Sequence, residues 1–72
     1  MTIPELKDLV HGKSDDDTVE LCVPGDLGPV GSSVSTMPGV PGLVIRKADG
    51  QTQVRVVIRK LRHALGLLTR AA

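Results

Sequence analysis

Gly25, Gly28 and Gly31 form a G-x-x-G-x-x-G run followed by Ser32 and Ser33, a composition whose backbone N–H groups could cradle a phosphate. A nucleotide loop of that kind needs G-x-x-x-x-G-K-[S/T] leading into a helix. Here the lysine is missing, Pro29 removes one N–H, and no helical pattern follows. The run therefore reads as a flexible loop. Asp15, Asp16 and Asp17 cluster carboxylate oxygens of the type that hold calcium or magnesium. Adjacent aspartates rarely converge, however, and where a calcium loop places glycine at its sixth position this chain has Glu20. A solvated acidic turn is the expectation. Cys22 with His11 or His63 has the types of a nucleophile and its base, but no spacing ties them together. A buried strand cysteine and two surface histidines account for the same residues. The sequence thus predicts no catalytic residue, no metal site and no cofactor, and a protein that is not an enzyme.

Two other sets point to binding. Arg46, Arg55, Arg59, Lys60 and Arg62 are cations that would meet phosphate oxygens if they shared a face. Val30, Val34, Met37 and Val40 are aliphatic positions spread along a stretch rich in glycine and proline. They would contact a protein partner if that stretch were an extended arm.

The elements that position these residues belong to one small domain, 1–72, of α+β class. With 72 residues, no Phe, Tyr or Trp, and a single cysteine, its core is thin and lacks both a disulfide and a Cys/His zinc site as staples. Self-association or a larger partner is expected to supply the missing stability. The absence of aromatic rings also removes the stacking platforms used by RNA-recognition sheets and single-strand binders. No apolar run approaches the ~20 residues of a membrane span, and the first residues are neither basic nor continuously apolar, so the expected location is cytoplasmic.

The net charge of +1 hides a division along the chain. Residues 1–26 carry two lysines against seven carboxylates, whereas residues 27–72 carry seven Arg and Lys against Asp49 alone. Either the halves fold against each other and compensate, or a basic face is left free for an acidic partner.

Residues 2–11 read as a short helix. Thr2 and Glu5 make a T-x-x-E capping box, Pro4 lies in the first turn, Gly12 suits the end, and Ile3, Leu6, Leu9 and Val10 share one face. Thr18–Val23 alternates as a strand. Residues 24–42, with five Gly, four Pro and three Ser, read as a long Gly/Pro/Ser-rich loop or arm. Asp49-Gly50 predicts the turn of a 43–58 β-hairpin in a small antiparallel sheet. A straight register from that turn sets Ile45 opposite Val54 and Leu43 opposite Val56. Leu43, Ile45, Val54, Val56 and Ile58 then face inward, with Arg46, Gln53, Arg55, Arg59, Val44 and Val57 on the other side. Leu61, Ala64, Leu65 and Leu68 recur at helical spacing and predict a C-terminal amphipathic helix over about 60–69. Its start is poorly marked, because Arg59 and Lys60 are not capping residues. The alternative is that the second hairpin strand runs on to about residue 61.

Thr2-Ile3-Pro4, Gly12, Asp17, Val19-Glu20 and Val23 fall at spacings similar to those of the AbrB/MazE swapped-hairpin DNA-binding domains, and Leu43–Arg46 looks like their last strand. The resemblance covers a minor part of the chain. It departs where Asp16-Asp17 stands for the usual Gly-Asp and where residues 24–42 interrupt the second hairpin. It implies a dimer that contacts DNA through basic strand residues.

Two functions follow as expectations. The first is a non-enzymatic protein-interaction module, a small accessory, inhibitory or structural subunit of bacterial or phage type, docking on a larger partner or self-assembling as a homo-oligomer through the 24–42 arm and an apolar face. The alternative is a small dimeric DNA-binding regulator or antitoxin that uses Arg46, Arg55, Arg59, Lys60 and Arg62 on phosphates, with nucleic acid as its partner.

Overall fold

The computed structural model describes residues 2–71. In chain order the elements are α1 (Ile3–Val10), β1 (Thr18–Pro24), β2 (Ser33–Met37), β3 (Val40–Ala48), β4 (Gln51–Val57) and α2 (Ile58–Ala71). The four strands form one antiparallel sheet in the order β1-β4-β3-β2. The class is α+β. Both helices cover one face of the sheet, and the other face is bare.

Local sequence explains α1. Thr2 is its N-cap and accepts the Glu5 N–H at 3.3 Å, while Pro4 occupies the first turn, where its missing N–H costs nothing. Leu6 and Val10 are buried, with Leu9 packed beside them. A helix of this length is unstable alone in water, and here its apolar stripe docks against α2 and the sheet.

The core is Leu6 and Val10 from α1, Leu21 from β1, Val40 from β3, Val54 and Val56 from β4, and Ile58, Leu61 and Ala64 from α2. Burial of such aliphatic side chains contributes roughly 1.5–3 kcal/mol each.

The hairpin of β3 and β4 forms on the Asp49-Gly50 turn, with Ala48 opposite Gln51 as expected. Its register then departs from the straight one. Lys47 faces Thr52 and Arg46 faces Gln53, but Val44 faces Val54 and Leu43 faces Arg55, because a bulge places Ile45 as an extra residue in β3. One inserted residue reverses every side chain beyond it. Val44 is therefore buried and Leu43 is exposed, the opposite of the sequence expectation, while Ile45 is half-buried. The bulge puts Val40, Gly42 and Val44 on the inner face. A Cβ on Gly42 would lie 2.3 Å from Val54 Cγ1 and 3.2 Å from the Arg55 carbonyl oxygen, so the backbone of β3 lies directly under the β4 valines.

Residues 24–42 do not form a single loop. Ser33–Met37 is β2, and a Pro38-Gly39 turn leads into β3. Only residues 25–32 connect, and they run as a strap from β1, at one edge of the sheet, to β2 at the other. Crossing three strand spacings needs about 14 Å, well within the roughly 27 Å that this length of chain can reach. The strap is fastened on the helix-covered face. The buried Thr52 hydroxyl donates to the Gly25 carbonyl at 2.8 Å and accepts the Leu27 N–H at 3.3 Å, and Leu27 packs on the core. Gly25, Gly28 and Gly31 all adopt positive φ, a conformation that favours glycine, and this accounts for the spacing that resembled a phosphate loop.

α2 begins at Ile58, so β4 does not run on to residue 61. Its missing capping residue is supplied from elsewhere. The Ile58 N–H donates to the Asp17 carbonyl at 2.9 Å and the Arg59 N–H to the Asp15 carbonyl at 3.1 Å, which satisfies first-turn donors. Leu61 and Ala64 are buried, Leu65 is half-buried and Leu68 is exposed. Among the described residues no helix is long and apolar enough to cross a membrane.

Candidate functional site

The bare face of the sheet is built by strand alternation. β1 contributes Thr18, Glu20 and Cys22, β4 contributes Gln51, Gln53, Arg55 and Val57, and β3 contributes Leu43 and Arg46, following the observed pairs. Glu20 lies on the edge strand β1 and reaches across to β4. It accepts from Gln53 Nε2 at 2.9 Å and from Arg55 Nη2 at 3.2 Å. Cys22 Sγ–H donates to Gln51 Oε1 at 3.0 Å. Leu43, which is 44% exposed, and Val57 are the exposed large aliphatic residues of this face. Cys22, Arg46, Ala48, Gln51 and Gln53 line a shallow depression at the hairpin end.

Cys22 is exposed rather than buried, because its even position in β1 turns it away from the core. It lies on the bare face, whereas His11 and His63 belong to the helical layer. The thiol and the imidazoles are thus not brought together. Asp15–Asp17 form the turn that caps α2: the Ser14 N–H donates to Asp17 Oδ2 at 3.0 Å, Asp16 pairs with Arg59 at 2.8 Å, and Asp15 pairs with Arg62. Among the described residues no cluster of His, Cys, Asp or Glu has the arrangement of a metal site.

The five cations considered for phosphate contact fall in two groups. Arg46 and Arg55 are on the bare sheet face, while Arg59, Lys60 and Arg62 are on α2, on the other side of the sheet. Arg55 is paired with Glu20, Arg59 with Asp16 and Arg62 with Asp15. Lys47 also pairs with Asp26, at 2.7 Å. Together with the Gly28 N–H, that ammonium holds the Asp26 carboxyl below the usual carboxylate range. The acidic and basic halves of the chain therefore meet through named pairs, each exposed and individually weak.

The four positions expected on an arm also separate. Val30, at 61% exposure, projects from the strap; Val34 and Met37 are half-buried against the core; Val40 is fully buried within it. Val40 is a core residue, not an arm contact. The burial of Val34, Met37 and Val40 follows from the β2–β3 pairing, whose only local signal is the Pro38-Gly39 turn. Leu43 is a surface residue that alternation alone does not reveal, because the bulge at Ile45 reverses the faces of β3.

No protein-family model matches this chain, and no curated protein or solved structure matches it either.

Proposed function

We propose that this chain is a non-enzymatic protein-interaction module, a small cytoplasmic accessory, inhibitory or structural subunit of bacterial or phage type. It docks through the bare face of its sheet. The observation that carries this reading is the makeup of that face: a hydrogen-bonding centre of Glu20, Gln53 and Arg55 flanked by exposed Leu43 and Val57. Mixed polar and aliphatic surface suits a protein partner, since protein interfaces are about as apolar as ordinary surface and depend on a few well-packed anchors. Nucleic acid has less support. The Glu20 carboxylate beside Arg55 opposes phosphate, and three of the five cations already have acidic partners.

The test is affinity capture with immobilised wild-type protein beside Leu43→Glu and Val57→Glu. Both residues are exposed, so their circular dichroism and melting should stay near wild type while capture is lost. Identical capture by all three proteins overturns the reading. In parallel, a duplex DNA titration at about 50 mM salt, where the electrostatic attraction is large, should show no binding. Binding that weakens with Arg46→Ala and Arg55→Ala would move the assignment to a DNA-binding regulator.

A further inference from the structure

β1 and β2 are the two edges of the sheet, and they differ in a way that bears on pairing. β2 is short and irregular between Ser35 and Met37, and shortness and bulges are features that protect an edge. β1 runs from Thr18 to Pro24 with an unbroken register against β4. The Gly25 N–H donates to the Gly50 carbonyl, and the Asp17 carbonyl accepts the Ile58 N–H. Those two bonds fix the phase of the ladder: odd residues of β1 bond to β4, and even residues turn their N–H and C=O groups outward. The free edge therefore offers the N–H groups of Thr18, Glu20 and Cys22 and the carbonyls of Thr18, Glu20, Cys22 and Pro24, the last having no N–H.

We propose that a second copy of this chain pairs antiparallel along this edge, with Leu21 on the twofold axis, joining the two sheets into one continuous eight-stranded sheet. The proposal rests on the interaction-module reading and names one partner as the chain itself. The edge selects its own register. Outward residues must face outward residues, which leaves few alignments. Centring on Glu20 sets two carboxylates directly opposite each other, which is unfavourable. Centring on Cys22 faces Glu20 with Pro24 and forfeits donors.

Centring on Leu21 sets Glu20 opposite the second copy's Cys22 and Thr18 opposite its Pro24. This alignment makes about six backbone hydrogen bonds. On the covered face the same alignment brings Val19 against the second copy's Val23 on both sides of the paired leucines. Val19 and Val23 are each half-buried in the single chain and packed on its core, so pairing extends that core across the axis.

Hydrogen exchange on the unaltered protein tests this without any variant. At about millimolar concentration the Thr18, Glu20 and Cys22 amides should be protected, and dilution should release them while Val19, Leu21 and Val23 stay protected. A mixed sample of labelled and unlabelled chains should give an intermolecular Hα–Hα contact at Leu21. Cys22→Pro, which removes an outward backbone donor, leaves the backbone ladder to β4 intact and gives up only the exposed thiol contact to Gln51, should give monomeric mass by light scattering with wild-type circular dichroism. Fast exchange of the three even amides at every concentration, a monomeric wild-type mass, or an Hα contact between Leu21 and Val23 in its place overturns the proposal. A monomer whose partner capture still depends on Leu43 removes this dimer and leaves the interaction reading intact, whereas loss of both removes both.

Discussion

The Ile58 backbone N–H donates to the Asp17 carbonyl at 2.9 Å, so the turn that precedes the first strand caps the helix that follows the last. Asp15 and Asp16 add ion pairs to Arg62 and Arg59 on that helix. The acidic triplet is thus the N-terminal lock of α2.

Arg62 should matter more than Arg59. Besides Asp15, its guanidinium donates to the carbonyls of Val10, at 3.1 Å, and Lys13, closing the end of α1 onto α2. Arg62→Ala should cost about 1–2 kcal/mol in urea unfolding, against less than about 0.5 for Arg59→Ala, whose partner is an exposed carboxylate. Equal losses would mean that the carbonyl contacts contribute nothing.

Two glycine-to-alanine changes should have opposite signs. Gly42→Ala drives a methyl into Val54 and against the Arg55 backbone, and overpacking of that kind costs about 1–3 kcal/mol. Gly66→Ala meets nothing within 4 Å on α2 and should stabilise by roughly 1 kcal/mol through helix propensity. Thermal melts of the two variants check both signs.

The bulge makes its own prediction. Val44→Lys buries a charge among Val54 and its neighbours and should abolish cooperative unfolding or cost several kcal/mol. Ile45→Lys, at the bulge, should be far milder. A straight hairpin would reverse this order.

Asp26 sets a small dependence on acid. Its folded pKa is depressed by Lys47 and the Gly28 N–H, so it favours the native state above its ordinary pKa of about 3.9, and that contribution is lost as pH falls through the folded value. Asp26→Asn should flatten the acid limb of a melting-temperature profile slightly and change little at pH 7. A variant whose profile below about pH 4 overlays wild type would show that the pair has no effect.

Much of this fold is legible in the residues, and the gaps have physical causes. α1 is legible because its cap, its proline and its apolar stripe are all local. The Asp49-Gly50 turn is legible for the same reason. The phase of β3 is not, because Val44-Ile45 presents two adjacent aliphatic residues and only the close approach of Gly42 to Val54 decides between them. β2 is hidden because Ser33–Met37 carries little apolar signal and is a strand by virtue of its backbone pairing to β3. The start of α2 is hidden because its cap lies in Asp15–Asp17. On the bare face, Arg46 and Arg55 are visible in the charge pattern, but the pairing of Arg55 with Glu20 depends on the β1–β4 register.

The strap has a consequence for the order in which the protein forms. β2, β3 and β4 follow one another as a meander with short turns, whereas β1 must wait for β4, the strand it pairs with among the described residues, to be made. On a ribosome, residues 18–24 leave the exit tunnel with no strand to join, and the strap cannot fasten until Thr52 is in place. The meander should therefore act as the nucleus and β1 should close last, since the loop between them has the larger closure entropy. Folding φ-values near zero at Leu21 and well above that at Val54 would be the kinetic signature, and the strand that arrives last is also the one whose outer edge stays open.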